Sequence, residues 1–229
     1  METLEKIIHT VPASRQVSRY VRLLNDSAGS PRLLFLGNSV TWHAPKDDIG
    51  WAGDWGMAAS SAENDYAHRV LSAVRERFPS ASGMILQGAV WERNLECDCA
   101  SEFAGAREFA ADALIFTLCA NTSADTFRAE AFVAGMERLL SYASENSVSP
   151  IVLVATDFFG DPSKSAAIEA YAARHSATVV NLLDLGANPE NRALGKFAHE
   201  GVANHPGDLG MQRIAERILE KLIPALEKR

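Results

Sequence analysis

Two short segments of this 229-residue chain combine residue types that can do chemistry. In the first, an apolar run Leu33-Leu34-Phe35-Leu36 stops abruptly at Gly37-Asn38-Ser39. In the second, Asn204-His205-Pro206-Gly207-Asp208 stands just before a final amphipathic stretch. A serine hydroxyl is a poor nucleophile until a base takes its proton, and histidine, which titrates near neutrality, is the usual base. Ser39 and His205 can supply that pair: the one at a strand's carboxyl end, where ligands bind in open parallel sheets, the other fixed outside a helix by the Pro206-Gly207 turn. A Gly-Asn-Ser turn without a chemical role explains the first segment equally well. His9, His43, His68, His175 and His199 read as surface or capping residues. Phosphate-loop readings fail, since neither Gly-Lys-Ser/Thr nor the further glycines of a dinucleotide fingerprint follow Gly37. Cys97-Asp98-Cys99 lacks a second ligand pair at zinc spacing, and three cysteines in all do not make a disulfide framework.

The elements that must position these residues can be read from the apolar pattern. Strand-length runs recur at Arg32 to Leu36, Met84 to Gln87, Ala113 to Leu118, Pro150 to Ala155 and Ala177 to Leu183. Stretches with helical spacing separate them, such as Tyr66, Val70, Val74 and Phe78. Continuous apolar strands alternating with helices predict a parallel sheet covered on both faces. A last helix is expected over Met211 to Leu222, weakened at Pro224. Residues 1–30 read as a helical N-terminal lead-in packed on one domain, 31–229. With 22 Lys plus Arg against 29 Asp plus Glu, a net charge of −7, and no basic block, a nucleic-acid partner is not expected. No run of about 18 apolar residues and no signal-like start occur, so neither a membrane partner nor export is expected, and a cytoplasmic location is.

Gly37-Asn38-Ser39 after the first strand, Gly88 after the second, Asn121 after the third and His205-Pro206 before the last helix resemble the four blocks of the SGNH (GDSL-type) hydrolase superfamily. The likeness is to a bacterial subgroup with Gly-Asn-Ser-hydrophobic-Thr, and it extends to the Gly50 to Ser60 segment. It implies a three-layer α/β/α sandwich with a flavodoxin-like, five-stranded parallel sheet in the order 2-1-3-4-5. It implies, too, a serine esterase without a cofactor or metal. Ser39 would be the nucleophile and His205 its base, with the backbone N–H groups of Ser39 and Gly88 and the Asn121 side chain as oxyanion donors. Taken singly, Gly88 is also a plain strand-end turn and Asn121 a plain loop residue.

One departure from the family pattern concerns the acid that orients the histidine. The family places Asp three residues before it, where this chain has Val202. Glu200, Asp208, or a Ser-His dyad with a backbone carbonyl holding the imidazole remain open. Asn38, Trp91, Glu92 and Arg93 are candidate substrate contacts; Trp51 and Trp91 serve equally as core-rim residues, Trp55 reads as structural, and Arg93 meets an acidic substrate group or pairs with Glu92 or Glu96. The expected substrate is a small carboxylic ester, preferably an O-acetyl group on a sugar derivative. An acyltransferase using the same acyl-enzyme, and a non-catalytic glycan- or partner-binding module that keeps the fold, are the alternatives.

Overall fold

A computed structural model of the protein describes residues 13–229. Strands β1 (Gln16–Ser18), β2 (Val21–Leu23), β3 (Gly29–Gly37), β4 (Ala81–Gln87), β5 (Ala113–Phe116), β6 (Ile151–Ala155) and β7 (Thr178–Val180) form one sheet in the order β1-β2-β4-β3-β5-β6-β7. From β4 to β7 every pairing is parallel. This is the expected 2-1-3-4-5 core, extended at the β4 edge by two antiparallel strands.

Side chains alternate across the sheet and sort the helices into two layers. Leu33 and Phe35 of β3 face one side, with α1 (Tyr66–Arg77) and α8 (Asp208–Leu226). Leu34 and Leu36 face the other, with α4 (Ala129–Ala143) and α5 (Pro162–His175). Each long helix presents an apolar stripe to the sheet: Val70 and Val74 on α1, Ile214, Ile218 and Leu222 on α8, Met136 and Leu139 on α4, Ile168 on α5. Asp65 and Asp161 cap α1 and α5 by accepting from backbone N–H groups of the first turn. The remaining helices are short and lie in the connections: α2 (Ala89–Arg93), α3 (Cys99–Glu102), α6 (Leu183–Ala187) and α7 (Glu200–Ala203).

The helical lead-in expected over residues 1–30 is corrected by the structure for its described part. Residues 1–12, including His9, lie outside the described residues. Beyond them the chain forms the β1–β2 hairpin, with Val21 opposite Leu86 and Leu23 opposite Met84. The free edge of β4 offers backbone groups that a strand satisfies and a helix does not. Val21 is fully buried there, and Arg22 ends in a buried ion pair with Asp54. The last helix also runs further than expected, to Leu226, because Pro224 sits on its exposed side near the end. Among the described residues no helix is long and apolar enough to cross a membrane.

Candidate active site

The loops leaving the carboxyl ends of β3, β4 and β5 meet the turn between α7 and α8 at one edge of the sheet. Gly37 ends β3 at a place with no room for a side chain: an added Cβ would strike the hydroxyls of Thr41 and Thr117. The backbone then folds back tightly. Thr41 and Trp42 both donate their N–H groups to Asn38 O, at 2.9 and 3.0 Å, and Val40 donates to Asn38 Oδ1 at 3.1 Å. Ser39 is left at the apex, half-buried, its carbonyl accepting from Met57 N at 2.8 Å. Among the described residues no partner takes up the Ser39 N–H. A buried hydroxyl triangle of Thr41, Tyr66 and Thr117 supports the turn from below.

His205 reaches the same point from the other end of the chain. Its backbone is pinned on both sides, with Ala193 N donating to His205 O and His205 N to Val202 O. The ring lies edge-on to Phe159, with centroids 5.6 Å apart. Nε2 is 2.7 Å from Ser39 Oγ, and Nδ1 is 2.7 Å from Gly201 O. A carbonyl can only accept, so Nδ1 carries the hydrogen and Nε2 presents its lone pair to the serine hydroxyl. Burial, first of all, lowers the His205 pKa from 6.5 to about 4; the bond to Gly201 O opposes the shift and His43 adds to it.

The acids considered for orienting the histidine are placed elsewhere. Glu200 is exposed and its carboxylate makes no bond to the ring; among the described residues only its backbone carbonyl is engaged, accepting from Asn204. Asp208 accepts from the N–H and hydroxyl of Ser60 at 2.8 and 2.7 Å, joining the first turn of α8 to the Gly50 to Ser60 segment. Val202 is fully buried with Trp51, Met57 and Ala193. At this position the turn feeds the core, and the neighbouring Gly201 carbonyl occupies the place of an acid.

Of the four candidate substrate contacts, three are corrected. Trp91 is fully buried between Phe116 and Phe132, because its place on α2 points into the layer covered by α4. Glu92 is 2% exposed and lies under the floor of the site. It accepts from Asn38 Nδ2 at 3.0 Å, Asn121 Nδ2 at 2.6 Å and Asn121 N at 3.3 Å. Burial raises its pKa against the effect of these donors. Asn38, equally buried, is held by that bond and faces away from solvent. Arg93 alone of the four opens onto the cleft, where Nη2 reaches Asn121 Oδ1 at 3.5 Å. Trp51 packs against Trp55 and Phe197 and belongs to the interior.

The Gly88 N–H donates to Gly37 O at 2.7 Å and is thereby engaged within the turn. Asn121 commits one amide hydrogen to Glu92 and keeps the other. Among the described residues the Ser39 N–H and the second Asn121 amide hydrogen have no acceptor, and both residues line the cleft.

Ser39, His205 and Asn121 open onto a cleft of about 790 Å³. Trp42 and Tyr20 of the hairpin, neither a site candidate in the sequence, complete its walls with His43, whose reading as a surface or capping residue is corrected: it is half-buried and lines the cleft. The signal for Trp42 lay in its place, three residues after Ser39, on a turn that the serine shares. Asp54 accepts from Trp42 Nε1 at 2.6 Å and ties the indole to Arg22, whose guanidinium lies 4.5 Å from the ring. The role of Tyr20 had no sequence signal, since it depends on the hairpin joining β4.

No family model matches the sequence, and no curated protein matches it. Solved structures do match its fold. A psychrotrophic esterase from Pseudoalteromonas sp., inhibited by monoethylphosphonate, is similar at 10% identity and a TM-score of 0.56, over 86% of this chain and 100% of that one. A carbohydrate esterase of family 3 from Talaromyces cellulolyticus is similar at 14% identity and 0.54, over 86% and 99%. A member of the lipolytic protein G-D-S-L family from Veillonella parvula is similar at 12% identity and 0.52, over 84% and 98%. Layers, strand order and these likenesses agree, and the chain has the fold of the SGNH (GDSL-type) hydrolases.

Proposed function

We propose that the protein is a serine ester hydrolase acting through an acyl-Ser39 intermediate. The observation that carries this reading is the 2.7 Å contact of Ser39 Oγ with His205 Nε2 on a ring whose Nδ1 is held by Gly201 O. In the first half-reaction Ser39 Oγ attacks the acyl carbon and its proton passes to Nε2. The Ser39 N–H and the free Asn121 amide hydrogen stabilise the tetrahedral oxyanion, a role in which loss of one donor typically costs about 10² to 10³ in turnover. The C–O bond to the alcohol then breaks, and Nε2–H returns the proton to the leaving oxygen. Water repeats the sequence on the acyl-enzyme and releases the carboxylic acid. A Ser-His dyad suffices for every proton in this cycle, and the geometry supports it over a triad with Glu200.

An O-acetyl group on a sugar derivative is the preferred substrate within this reading. Trp42 is half-buried and lines the cleft, an indole is suited to a sugar ring, and the similar structures include a carbohydrate esterase. The test is labelling with a serine-reactive fluorophosphonate, read by intact mass. One adduct is expected on the wild type and on Glu200→Ala, and none on Ser39→Ala. A folded wild type that takes up no reagent overturns the esterase reading in favour of a binding module. Loss of the adduct in folded Glu200→Ala overturns the dyad.

A further inference from the structure

Charge is distributed unevenly between the cleft and the rest of the chain. The protein carries a net charge of −7, yet three cations from separate segments line the cleft: Arg19 at the hairpin turn, Lys46 beyond the Ser39 turn and Arg93 at the end of α2. Asp54 is the one carboxylate lining it among the described residues, and Arg22 neutralises it with two bonds of 2.8 and 2.9 Å. Arg93 has no carboxylate partner among the described residues, and its bond to Asn121 Oδ1 places it one side chain from the reacting centre. Arg19 lies over the Tyr20 ring at 5.1 Å, likewise without a carboxylate. Among the described residues Lys46 meets one carboxylate, the exposed Asp48, at 3.4 Å. Burial is the main reason that the His43 pKa lies below its ordinary value; the bond to Ala44 O opposes the shift, Lys46 and Arg93 add to it, and Asp48 acts against them.

An acidic protein repels anions over most of its surface, so a cationic cleft in it selects for them. Guanidinium groups further match the planar or forked oxygens of carboxylate and phosphate. We infer that the substrate is an ester bearing, besides its acyl group, an anionic carboxylate or phosphate that docks on Arg93 with Arg19 and Lys46 around it. This inference rests on the Ser39 esterase reading and narrows it from neutral acylated sugars to acylated sugar acids or sugar phosphates.

The test compares three acetyl esters of one ring size: acetylated glucose, acetylated glucuronic acid and an acetylated glucose phosphate. At low salt kcat/KM should favour at least one acid by about tenfold or more, the usual worth of a charge-assisted bond. The arm that is favoured identifies the anion. The preference should shrink between about 0.02 and 0.5 M NaCl as the charges are screened, and fall towards one in Arg93→Gln and Arg19→Gln. A ratio compares two substrates on the same enzyme, so a partly folded variant does not distort it. Equal rates on all three esters, or a preference unmoved by salt and by both substitutions, overturn the anion inference and leave the esterase standing if Ser39 still takes the phosphonate. Absence of hydrolysis of all three, with no phosphonate adduct, overturns both.

Discussion

Ser39 and His205 form a pair whose pH behaviour follows from burial. An imidazole in water titrates near 6.5, whereas this one is held near 4, so it is a neutral base through the whole neutral range. The acid limb of kcat/KM for a neutral ester should therefore fall with an apparent pKa of about 4, well below the ordinary histidine value. A limb at the ordinary value would place the ring in water. The same shift bears on stability with a definite sign. Between 6.5 and about 4 the unfolded chain binds a proton at His205 that the folded chain does not, so stability declines as pH falls through that window. Both residues were legible from type and position, a serine at a strand end and a histidine before a proline turn. The group that orients the ring was not, because a backbone carbonyl exists at every residue and carries no signature of its own.

Helix α2 shows how a short element divides its work among three surroundings. Consecutive residues step about 100° around a helix. Trp91 thus enters the core, Glu92 runs beneath the site, and Arg93 opens to the cleft. In the sequence the three look alike, a polar and aromatic cluster near a strand end, and each is a candidate substrate contact. Only the packing of α2 against Phe116 and Phe132 separates them. Within the proposed esterase Glu92 is a positioning residue, since it holds the amide of Asn121 and braces Asn38 next to Ser39. Glu92→Ala leaves amide donors unpaired in a buried place and should cost about 1–3 kcal/mol in urea unfolding. It should also lower kcat more than it raises KM, because Asn121 would lose its aim at the oxyanion. A variant that loses stability with kcat intact would make Glu92 a structural residue alone.

The hairpin of β1 and β2 connects the edge of the sheet to the cleft and so links fold to site across the entire chain. Its Arg22 and the loop residue Asp54 form an ion pair with both side chains nearly inaccessible, at 3% and 5% exposure. Removing one member of such a pair strands the other charge. Asp54→Ala should therefore destabilise the protein by about 3–5 kcal/mol in urea unfolding, and loosen Trp42, which donates to the same carboxylate. A change below about 1 kcal/mol would show that water reaches Arg22 readily.

What reading along the chain settled was periodic or local: apolar runs alternating with helical stripes require a covered parallel sheet, and a serine at the end of its first strand must lie at the carboxyl edge. What tertiary structure alone decided was contact between distant segments. The described part of the lead-in became a hairpin because β4 offered it an open edge, Val202 turned into the core while Gly201 O met the imidazole, and Arg19, Lys46 and Arg93 converged on one cleft. Such pairings depend on edges, directions and distances in space, and the order of residues along a chain does not carry them.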